Sequence, residues 1–272
     1  MKKHIVISDP FPRKLNLIFS KKKLKELKSK YKLLKAPKLN KKESYEKNIY
    51  KASFILGQPD LNKNLLSKAT KLKCIINVES NFMDNIDYDY CFKKKIDIII
   101  CNAGIGRGAE GILKASREDI EVSTKLNVES YLHTLKAIVP GMIKRRKGHV
   151  VLMGSLAGLY PQISSVYGGQ KGAIHRIAQS LRIELSGSRV KVSEICPGRT
   201  KTNFGKSAFK NKNKAKKFMS GFTLLEPRDI ADAIMFSLSV RWRSNISTIE
   251  ISGTEQSPGG VPIIPVKDPI LS

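Results

Sequence analysis

Short apolar runs alternate with lysine-rich polar stretches through the first third of the chain. The apolar runs, each bounded by polar residues, predict strands over 4–8, 52–56 and 74–78. Between them, apolar residues recur at helical spacing and predict amphipathic helices over 20–35 and 61–72, the second with Asp60 as its N-cap. Because strands that alternate with helices form parallel sheets, this part of the chain is predicted to have a βαβαβ arrangement.

The same alternation continues beyond residue 95, but the composition changes. Among the first 103 residues Gly57 is the single glycine, whereas eighteen more follow from Gly104 onward. The apolar run 96–101 hardly alternates, which predicts a strand buried on both faces. Further strands are predicted over 149–154, 190–195 and 246–251, and helices from 116 to about 140, 164 to about 185 and 226 to about 238. The first of these helices has a capping-box-like start in which Ser116 precedes Asp119 by three residues.

Length and composition bound the class of protein. The chain has 272 residues, 41% of them apolar, which is enough for one large or two small domains with a core. No apolar run is long enough to span a membrane, and Asp9, Pro10 and Pro12 interrupt any signal-peptide core, so we expect a cytoplasmic protein without a membrane partner. The cysteines are widely spaced and predict reduced thiols, with no metal site and no disulfide framework: Cys74, Cys91, Cys101 and Cys196.

The net charge of +27 is unusually high. Residues 1–94 hold 23 basic and 9 acidic side chains, so the excess is denser there, but it continues through the rest of the chain. The charge is mostly scattered lysine and does not form a local stripe of arginine and aromatic residues. We therefore expect a solvated basic surface and no nucleic-acid partner, and keep polyanion binding as a remote alternative.

Tyr167 and Lys171 carry the candidate chemistry. Their spacing of four places both side chains on one face of the predicted helix, about one turn apart. A free tyrosine, with a pKa of about 10, is a poor base at neutral pH, and a nearby ammonium lowers that pKa. Such a pair can exchange a proton with an alcohol or with a developing alkoxide.

Two further polar residues complete the candidate site. Ser155, at the end of the strand 149–154, can hydrogen-bond a substrate oxygen, and Asn127, on the preceding helix, can hold a water beside Lys171. A structural interpretation stays open for each, because Ser155 also suits a helix cap and Asn127 also suits a satisfied amide within a helix.

The order of five short motifs along residues 95–255 resembles that of the short-chain dehydrogenase/reductase family. The motifs are Asn102-Ala103-Gly104, Leu126-Asn127-Val128, Gly154-Ser155-Leu156-Ala157-Gly158, Tyr167-Gly168-Gly169-Gln170-Lys171 and Pro197-Gly198-Arg199-Thr200-Lys201-Thr202. The resemblance implies that Tyr167 is the general acid/base and that Ser155 binds the carbonyl or hydroxyl oxygen. It further implies that Lys171 lowers the tyrosine pKa and holds the nicotinamide ribose, while Asn127 completes a proton relay.

The same resemblance implies an NAD(P) cofactor, with the choice between NAD and NADP left open. The cofactor cleft would be lined by Asn102, Ala103, Gly104, Tyr167, Lys171, Pro197, Gly198, Thr200 and Thr202. One departure is the gap of twelve residues from Ser155 to Tyr167, where thirteen is common in the family.

The family's pyrophosphate-binding loop, TGxxxGxG after the first strand, has no counterpart in this chain. The string Gly106-Arg-Gly-Ala-Glu-Gly111 fits a dinucleotide fingerprint, but the helix start signal at Ser116 comes five residues after the third glycine. We therefore interpret this string as a flexible loop at the rim of the site.

Residues 50–95 resemble a second family. The strings 52–60, 72–79 and 83–91 are similar to the substrate-side domain of D-isomer-specific 2-hydroxyacid dehydrogenases, which has a flavodoxin-like βα layer. We therefore expect an α/β protein with two parts: a 2-hydroxyacid-dehydrogenase-like segment over 1–94, and a catalytic portion over 95–272. The second part would be a parallel-sheet, Rossmann-like short-chain reductase core that lacks its first βαβαβ.

The functional hypothesis is an NAD(P)-dependent oxidoreductase that interconverts a secondary alcohol and a carbonyl. The alternative is a chimeric or truncated reductase that is impaired because the phosphate loop is missing. The ending 247–257 and the turn at Arg199 resemble reductases of small 3-hydroxy acids, in which Arg199 would meet a carboxylate; a structural arginine is the other interpretation. The family also implies a homodimer or homotetramer formed through the helices that carry Asn127 and Tyr167.

Overall fold

The computed structural model describes residues 3–10, 15, 19–36, 41–57, 59–77, 86–87, 90–91, 97–161, 164–209 and 211–256. The predicted join near residue 95, most of the string 83–91 and the first residue of the run 96–101 lie outside the described residues. The chain divides into two units, Met1–Lys94 and Lys95–Ser272. Among the described residues, no helix is both long and apolar enough to cross a bilayer.

The first unit contains a four-stranded parallel sheet in the order β2-β1-β3-β4. Its strands are β1 (Ile5–Asp9), β2 (Lys32–Lys35), β3 (Phe54–Gly57) and β4 (Cys74–Asn77). Its helices are α1 (Lys21–Lys30), α2 (Lys41–Asn48) and α3 (Lys63–Lys68), with a 3₁₀ turn at Ile49–Lys51. Fully buried side chains from strands, helix and loop form the core: Ile7, Tyr45, Ile49, Ile55 and Leu61.

Two helix predictions in the first unit need correction. The helix predicted over 20–35 ends at Lys30, because Tyr31 adopts an extended conformation and the next four residues pair with β1 as strand β2. The helix predicted over 61–72 is shorter, and Asn62 caps it in place of Asp60 by accepting a hydrogen bond from the Leu65 amide at 3.0 Å. In both places backbone pairing or capping outweighs the apolar spacing.

The second unit contains a parallel sheet in the order β5-β6-β7-β8. Its strands are β5 (Ile98–Cys101), β6 (Gly148–Met153), β7 (Val190–Pro197) and β8 (Thr248–Ile251). Its helices are α4 (Arg117–Thr124), α5 (Ser130–Arg145), α6 (Leu156–Leu159), α7 (Ser165–Glu184), α8 (Phe204–Ala208), α9 (Lys212–Phe218) and α10 (Pro227–Ser239). A π-helical turn, Lys125–Glu129, joins α4 to α5. Each unit is therefore α/β with parallel strands, as the alternating pattern predicts.

The helix caps of the second unit follow from local sequence. Ser116 and Asp119 form the predicted capping box, in which each side chain accepts a hydrogen bond from the other residue's amide. Ser164 caps α7 by accepting from the amide of Tyr167 at 3.2 Å. The helix predicted to end near Pro140 continues to Arg145, and the proline lies inside α5.

Strand β5 corrects the expectation of a strand buried on both faces. It lies at the end of the strand order, where β6 is its neighbour. Ile98 is 48% exposed and Ile100 is 41% exposed. The unbroken apolar run therefore does not mean that both faces of β5 are buried.

Candidate active site

Tyr167 and Lys171 lie one turn apart near the start of α7. Lys171 is buried, and its Nζ donates a hydrogen bond of 2.7 Å to the backbone oxygen of Met153, the last residue of β6. The same Nζ lies 6.0 Å from the centre of the Tyr167 ring and 5.7 Å from the centre of the Tyr131 ring. The structure thus places the lysine ammonium near two tyrosine rings at the carboxyl end of β6.

The electrostatics of this pair differ from the expectation. Burial raises the pKa of Tyr167 to about 12, and a hydrogen bond with the Ser155 side chain acts in the opposite, lowering direction. Burial also lowers the pKa of Lys171 to about 8, against the raising influence of Cys196 and Glu194. The net shift of Tyr167 is therefore upward, not downward, because desolvation of the phenolate exceeds the favourable interactions.

Ser155 combines both of the roles considered for it. Its hydroxyl caps α6 by accepting a hydrogen bond from the Ala157 amide at 3.2 Å, and it also interacts with the phenol of Tyr167. Gly158, one turn into α6, packs directly against α7, because a Cβ there would lie 2.5 Å from the backbone oxygen of Lys171. This close approach fixes the distance between the serine and the Tyr167–Lys171 pair.

Asn127 lies in the π-helical turn between α4 and α5 and is completely buried. Its Oδ1 accepts from the Ile105 amide at 2.9 Å, and its Nδ2 donates to the Ile105 oxygen at 2.9 Å and to Gln170 Oε1 at 2.7 Å. Gln170 in turn donates to Ser123 Oγ at 2.8 Å and to Thr124 Oγ1 at 3.1 Å. The Asn127 amide is thus satisfied by protein groups and ties the loop after β5 to α7.

The segment Asn102–Gly104 follows β5 and passes over the lysine. Tyr131 Oη donates to the Ala103 oxygen at 3.0 Å and lies 3.4 Å from the Met153 oxygen. A Cβ at Gly104 would lie 3.5 Å from Asn127 Oδ1 and 3.7 Å from Lys171 Nζ, so glycine keeps the backbone close to both. The structure therefore brings this segment together with Asn127 and Lys171.

Tyr131 and Gln170, which join these parts, are not among the site residues predicted from the sequence. Two spacing signals mark them. Tyr131 follows Asn127 by four residues along the same helical stretch, and Gln170 follows Tyr167 by three residues inside the Tyr167–Lys171 motif. Residues at such spacings share or adjoin the face that carries the site.

The segment Pro197–Thr202 continues from β7, and several of its polar groups bond to other protein groups. The Gly198 amide donates to the Ile251 oxygen at 2.7 Å, and Thr200 Oγ1 donates to the Gly198 oxygen at 3.1 Å. Thr202 Oγ1 accepts from the Phe204 amide at 3.2 Å, at the start of α8. The Phe204 ring then lies 5.2 Å from the Tyr167 ring, so this segment meets the site through α8.

Arg199 adopts the structural role that sequence analysis left open. Its guanidinium lies 4.3 Å from the centre of the Phe218 ring and 5.5 Å from that of Phe222. Its Nη1 donates to the Phe218 oxygen at 3.3 Å. In this arrangement the side chain fastens α9 and the turn after it to the end of β7.

The Gly106–Gly111 string forms turns, and the next helix starts at Arg117. A helix therefore does not begin at the third glycine, as a dinucleotide fingerprint requires. Gly108, at φ 76°, uses a left-handed conformation, and its oxygen accepts from Ser164 Oγ at 3.3 Å. Glu110 pairs with Lys214 of α9 at 2.7 Å, so the loop is fastened to both α7 and α9.

Comparison with known proteins identifies the family. A family model described as short chain dehydrogenase matches residues 76–213, half of the chain. The chain belongs to the short-chain dehydrogenase family. The match begins before the predicted join near residue 95 and runs through the motifs of the site as far as α9.

Curated relatives in the short-chain dehydrogenase family match a similar span. An NADP-dependent 3-hydroxy acid dehydrogenase, YdfG, of Salmonella typhimurium is 34% identical over 173 residues, which are 62% of this chain and 70% of the relative. A probable NADP-dependent dehydrogenase of Haemophilus influenzae is 29% identical over 171 residues, which are 62% of this chain and 68% of the relative.

Solved structures of other proteins share the fold. The closed form of a serine dehydrogenase complexed with NADP⁺ has a TM-score of 0.60 at 24% identity, over 96% of this chain and 90% of that one. A short-chain dehydrogenase from Sphingobium yanoikuyae in complex with NADPH has a TM-score of 0.56 at 17% identity, over 91% of this chain and 87% of that one. These likenesses support the Rossmann-like α/β fold.

Proposed function

We propose that this short-chain dehydrogenase interconverts a secondary alcohol and a carbonyl with NADP(H), using Tyr167 as the general acid/base. The observation that carries the proposal is the placement of Tyr167 beside both Ser155 and the buried ammonium of Lys171, at the carboxyl end of β6. The carboxyl ends of parallel strands are where α/β proteins bind ligands.

The proposed proton transfer follows from the pKa of Tyr167. With its pKa raised to about 12 by burial, the phenol is protonated at neutral pH and is ready to donate a proton to the oxygen of a carbonyl under reduction. Ser155 Oγ would hold that oxygen, and Lys171 would stabilise the phenolate that remains. In the opposite direction the phenolate would take the proton from the alcohol.

The residues around Lys171 fit the nicotinamide end of the cofactor. The described residues engage Lys171 Nζ once as a hydrogen-bond donor, at Met153, and an ammonium has three N–H groups for neighbours such as ribose hydroxyls. Gly104 leaves open the space that a Cβ would fill beside that ammonium. Asn102, Ala103, Gly104, Tyr167, Lys171, Pro197, Gly198, Thr200 and Thr202 are the proposed lining. When bound, the nicotinamide supplies or accepts the hydride.

We propose a small 3-hydroxy acid, or the corresponding 3-oxo acid, as substrate. Support comes from the resemblance of the ending 247–257 and from the relative named as a 3-hydroxy acid dehydrogenase. NADP is preferred over NAD because both curated relatives named above are NADP-dependent. Arg199 is left out of the substrate site, since its guanidinium lies against Phe218 and Phe222.

Absorbance of NADPH at its nicotinamide band tests the proposal. The purified protein is expected to reduce NADP⁺ with 3-hydroxy acids, and Tyr167→Phe is expected to lower kcat by about a hundredfold to ten-thousandfold, the usual contribution of a general acid/base. Tyr160→Phe, which removes a hydroxyl bonded to Glu250, is the matched control with unchanged kcat. Calorimetry that detects no binding of NADPH or NADH to the folded protein would instead favour the impaired chimera.

For the two parts of the chain, we propose that residues 1–94 form a 2-hydroxyacid-dehydrogenase-like layer and that residues 95–272 carry the catalysis. The parallel sheet β2-β1-β3-β4 supports a flavodoxin-like arrangement of the first part. We further propose that copies of the protein associate through α5 and α7. Exposed apolar residues on these helices, Leu132 at 46% and Ile183 at 78%, support this association, which light scattering on the purified protein would test.

A further inference from the structure

A buried carboxylate lies behind the proposed site. Glu194, on β7, has no solvent exposure, and its Oε2 accepts a hydrogen bond of 2.7 Å from His175 Nδ1. His175 follows Lys171 by four residues on α7, so both side chains project from the same face of that helix. The carboxylate is therefore held from the same helix that carries the lysine.

The His175 ring lies between Glu194 and Gln179. The side-chain nitrogen of Gln179 lies 2.9 Å from His175 Nε2. His175 Nδ1 lies on the other side of the ring, 2.7 Å from Glu194 Oε2, so the imidazole orients the carboxylate.

The carboxylate also lies against the strand end that anchors Lys171. A Cβ at Gly154 would collide with Glu194 Oε1 and would come within 2.8 Å of Cys196 Sγ. Gly154 directly follows Met153, whose oxygen accepts the hydrogen bond from Lys171 Nζ. Contact with the Gly154 backbone therefore places the carboxylate next to the residue that holds the ammonium.

Several titratable groups surround this carboxylate. Helix α7 contributes Lys171, His175 and Arg182, and strand β7 contributes Cys196. Tyr160, which follows α6, interacts with Cys196 and is hydrogen-bonded to Glu250 on β8. Burial raises the pKa of Cys196 far above neutral, with Glu194 adding to the effect, so its thiol carries no charge at pH 7. Glu194 acts to raise the pKa of Lys171, against the lowering effect of burial.

We propose that Glu194, oriented by His175, is a positioning residue that keeps the Lys171 side chain as an ammonium in the site. A buried ammonium is disfavoured by desolvation, and an adjacent negative charge offsets that cost. A neutral Lys171 would lack the charge that stabilises the Tyr167 phenolate. The lysine would also have one N–H donor fewer. The inference rests on the proposed function for its catalytic meaning, but the protonation of Lys171 can be measured without catalysis.

NMR titration of protein labelled with ¹³C at the lysine ε carbons is the test. The Lys171 signal is assigned by its loss in Lys171→Met. In Glu194→Gln, which keeps an acceptor for His175, we expect its titration midpoint to fall by about one pH unit, a tenfold loss of proton affinity. Glu250→Gln, which removes an exposed carboxylate on β8, is the matched control with an unchanged midpoint. The alkaline limb of kcat/KM is expected to move by the same amount.

A second pair of variants separates charge from structure. His175→Leu removes the donor that orients the buried carboxylate, so the Lys171 midpoint should fall as in Glu194→Gln. His175→Gln supplies an amide donor and should keep the wild-type midpoint. An unchanged midpoint in both Glu194→Gln and His175→Leu would overturn the inference, and so would a ¹⁵N spectrum with His175 doubly protonated at pH 7. If the wild type is inactive but the Lys171 midpoint still falls in Glu194→Gln, only the proposed function is refuted and the inference stands.

Discussion

Asn127 and Gln170 are joined by a buried side-chain hydrogen bond of 2.7 Å. The same Asn127 amide holds both polar groups of the Ile105 backbone, so a single side chain links the π-helical turn, the loop after β5 and helix α7. In this arrangement the Asn127 side chain supports the site as a scaffold.

Replacing Asn127 by leucine of similar size should therefore destabilise the second unit. The change leaves the Ile105 amide and oxygen and the Gln170 side chain without their partner, and we expect the free energy of unfolding to fall by about 2–4 kcal/mol. Urea denaturation measures it, with Asn213→Leu on the exposed surface of α9 as the control expected to stay within about 0.5 kcal/mol of wild type. Equal stability of the two variants would contradict this role.

Tyr131→Phe tests the hydroxyl that holds the segment Asn102–Gly104. The hydroxyl donates to the Ala103 oxygen at 3.0 Å, and its removal should cost about 1–2 kcal/mol of stability. If the segment lines the cofactor cleft, the Kd for NADPH should also rise several-fold by calorimetry, because the backbone beside Lys171 loses a fastening. A variant with weaker folding but wild-type Kd would remove Tyr131 from the cofactor site.

Two glycines of the Ser155–Lys171 region should respond to alanine in opposite directions. Gly158→Ala places a Cβ 2.5 Å from the backbone oxygen of Lys171. Because a backbone atom cannot move aside as a flexible side chain can, we expect the free energy of unfolding to fall by about 1–3 kcal/mol. Gly169→Ala, inside α7, meets nothing within 4 Å and should gain about 0.5–1 kcal/mol from helix propensity. Thermal unfolding of both variants would decide, and the same sign of shift in Tm for both would count against the packing described.

Stability should depend on pH through Lys171. Its pKa falls from 10.5 to about 8 on burial, so between these values the unfolded chain binds more protons and the folded state gains stability as the pH rises. The gain is lost again as the pH falls through 8. Relative to Lys171→Met, the wild type should gain about 1.4 kcal/mol per pH unit in this window. Urea denaturation at pH 7.5 and 9.5 measures it; a constant difference between the two proteins would refute the shift.

The sequence predicted the elements with strong local signals. The long helix α7 and the start of α4 follow from periodicity together with Ser164 and Ser116, which cap in the structure as their types suggest. Strand β2 was missed because its two leucines continue the spacing of α1, while pairing with β1 decides its conformation. The exposure of Ile98 and Ile100 was missed because a run of isoleucines does not specify what lies beside it.

The site was predictable as a set of residues but not as an electrostatic arrangement. Spacing alone placed Tyr167 and Lys171 together, and the motif order added Ser155 and Asn127. The upward pKa shift of Tyr167 depends on burial created by distant segments such as Phe204, which no local pattern reports. The engagement of Asn127 with Ile105 and Gln170 likewise depends on a π-helical turn whose partners lie elsewhere in the chain.

The exposed isoleucines of β5 are expected to make this protein prone to aggregation. Among the described residues β5 is the last strand of its sheet, and an edge strand with exposed apolar side chains is a template on which another copy can add its own strand. Concentrated or warmed samples are then expected to form a fibrous precipitate, and Ile98→Lys or Ile100→Lys is expected to prevent it.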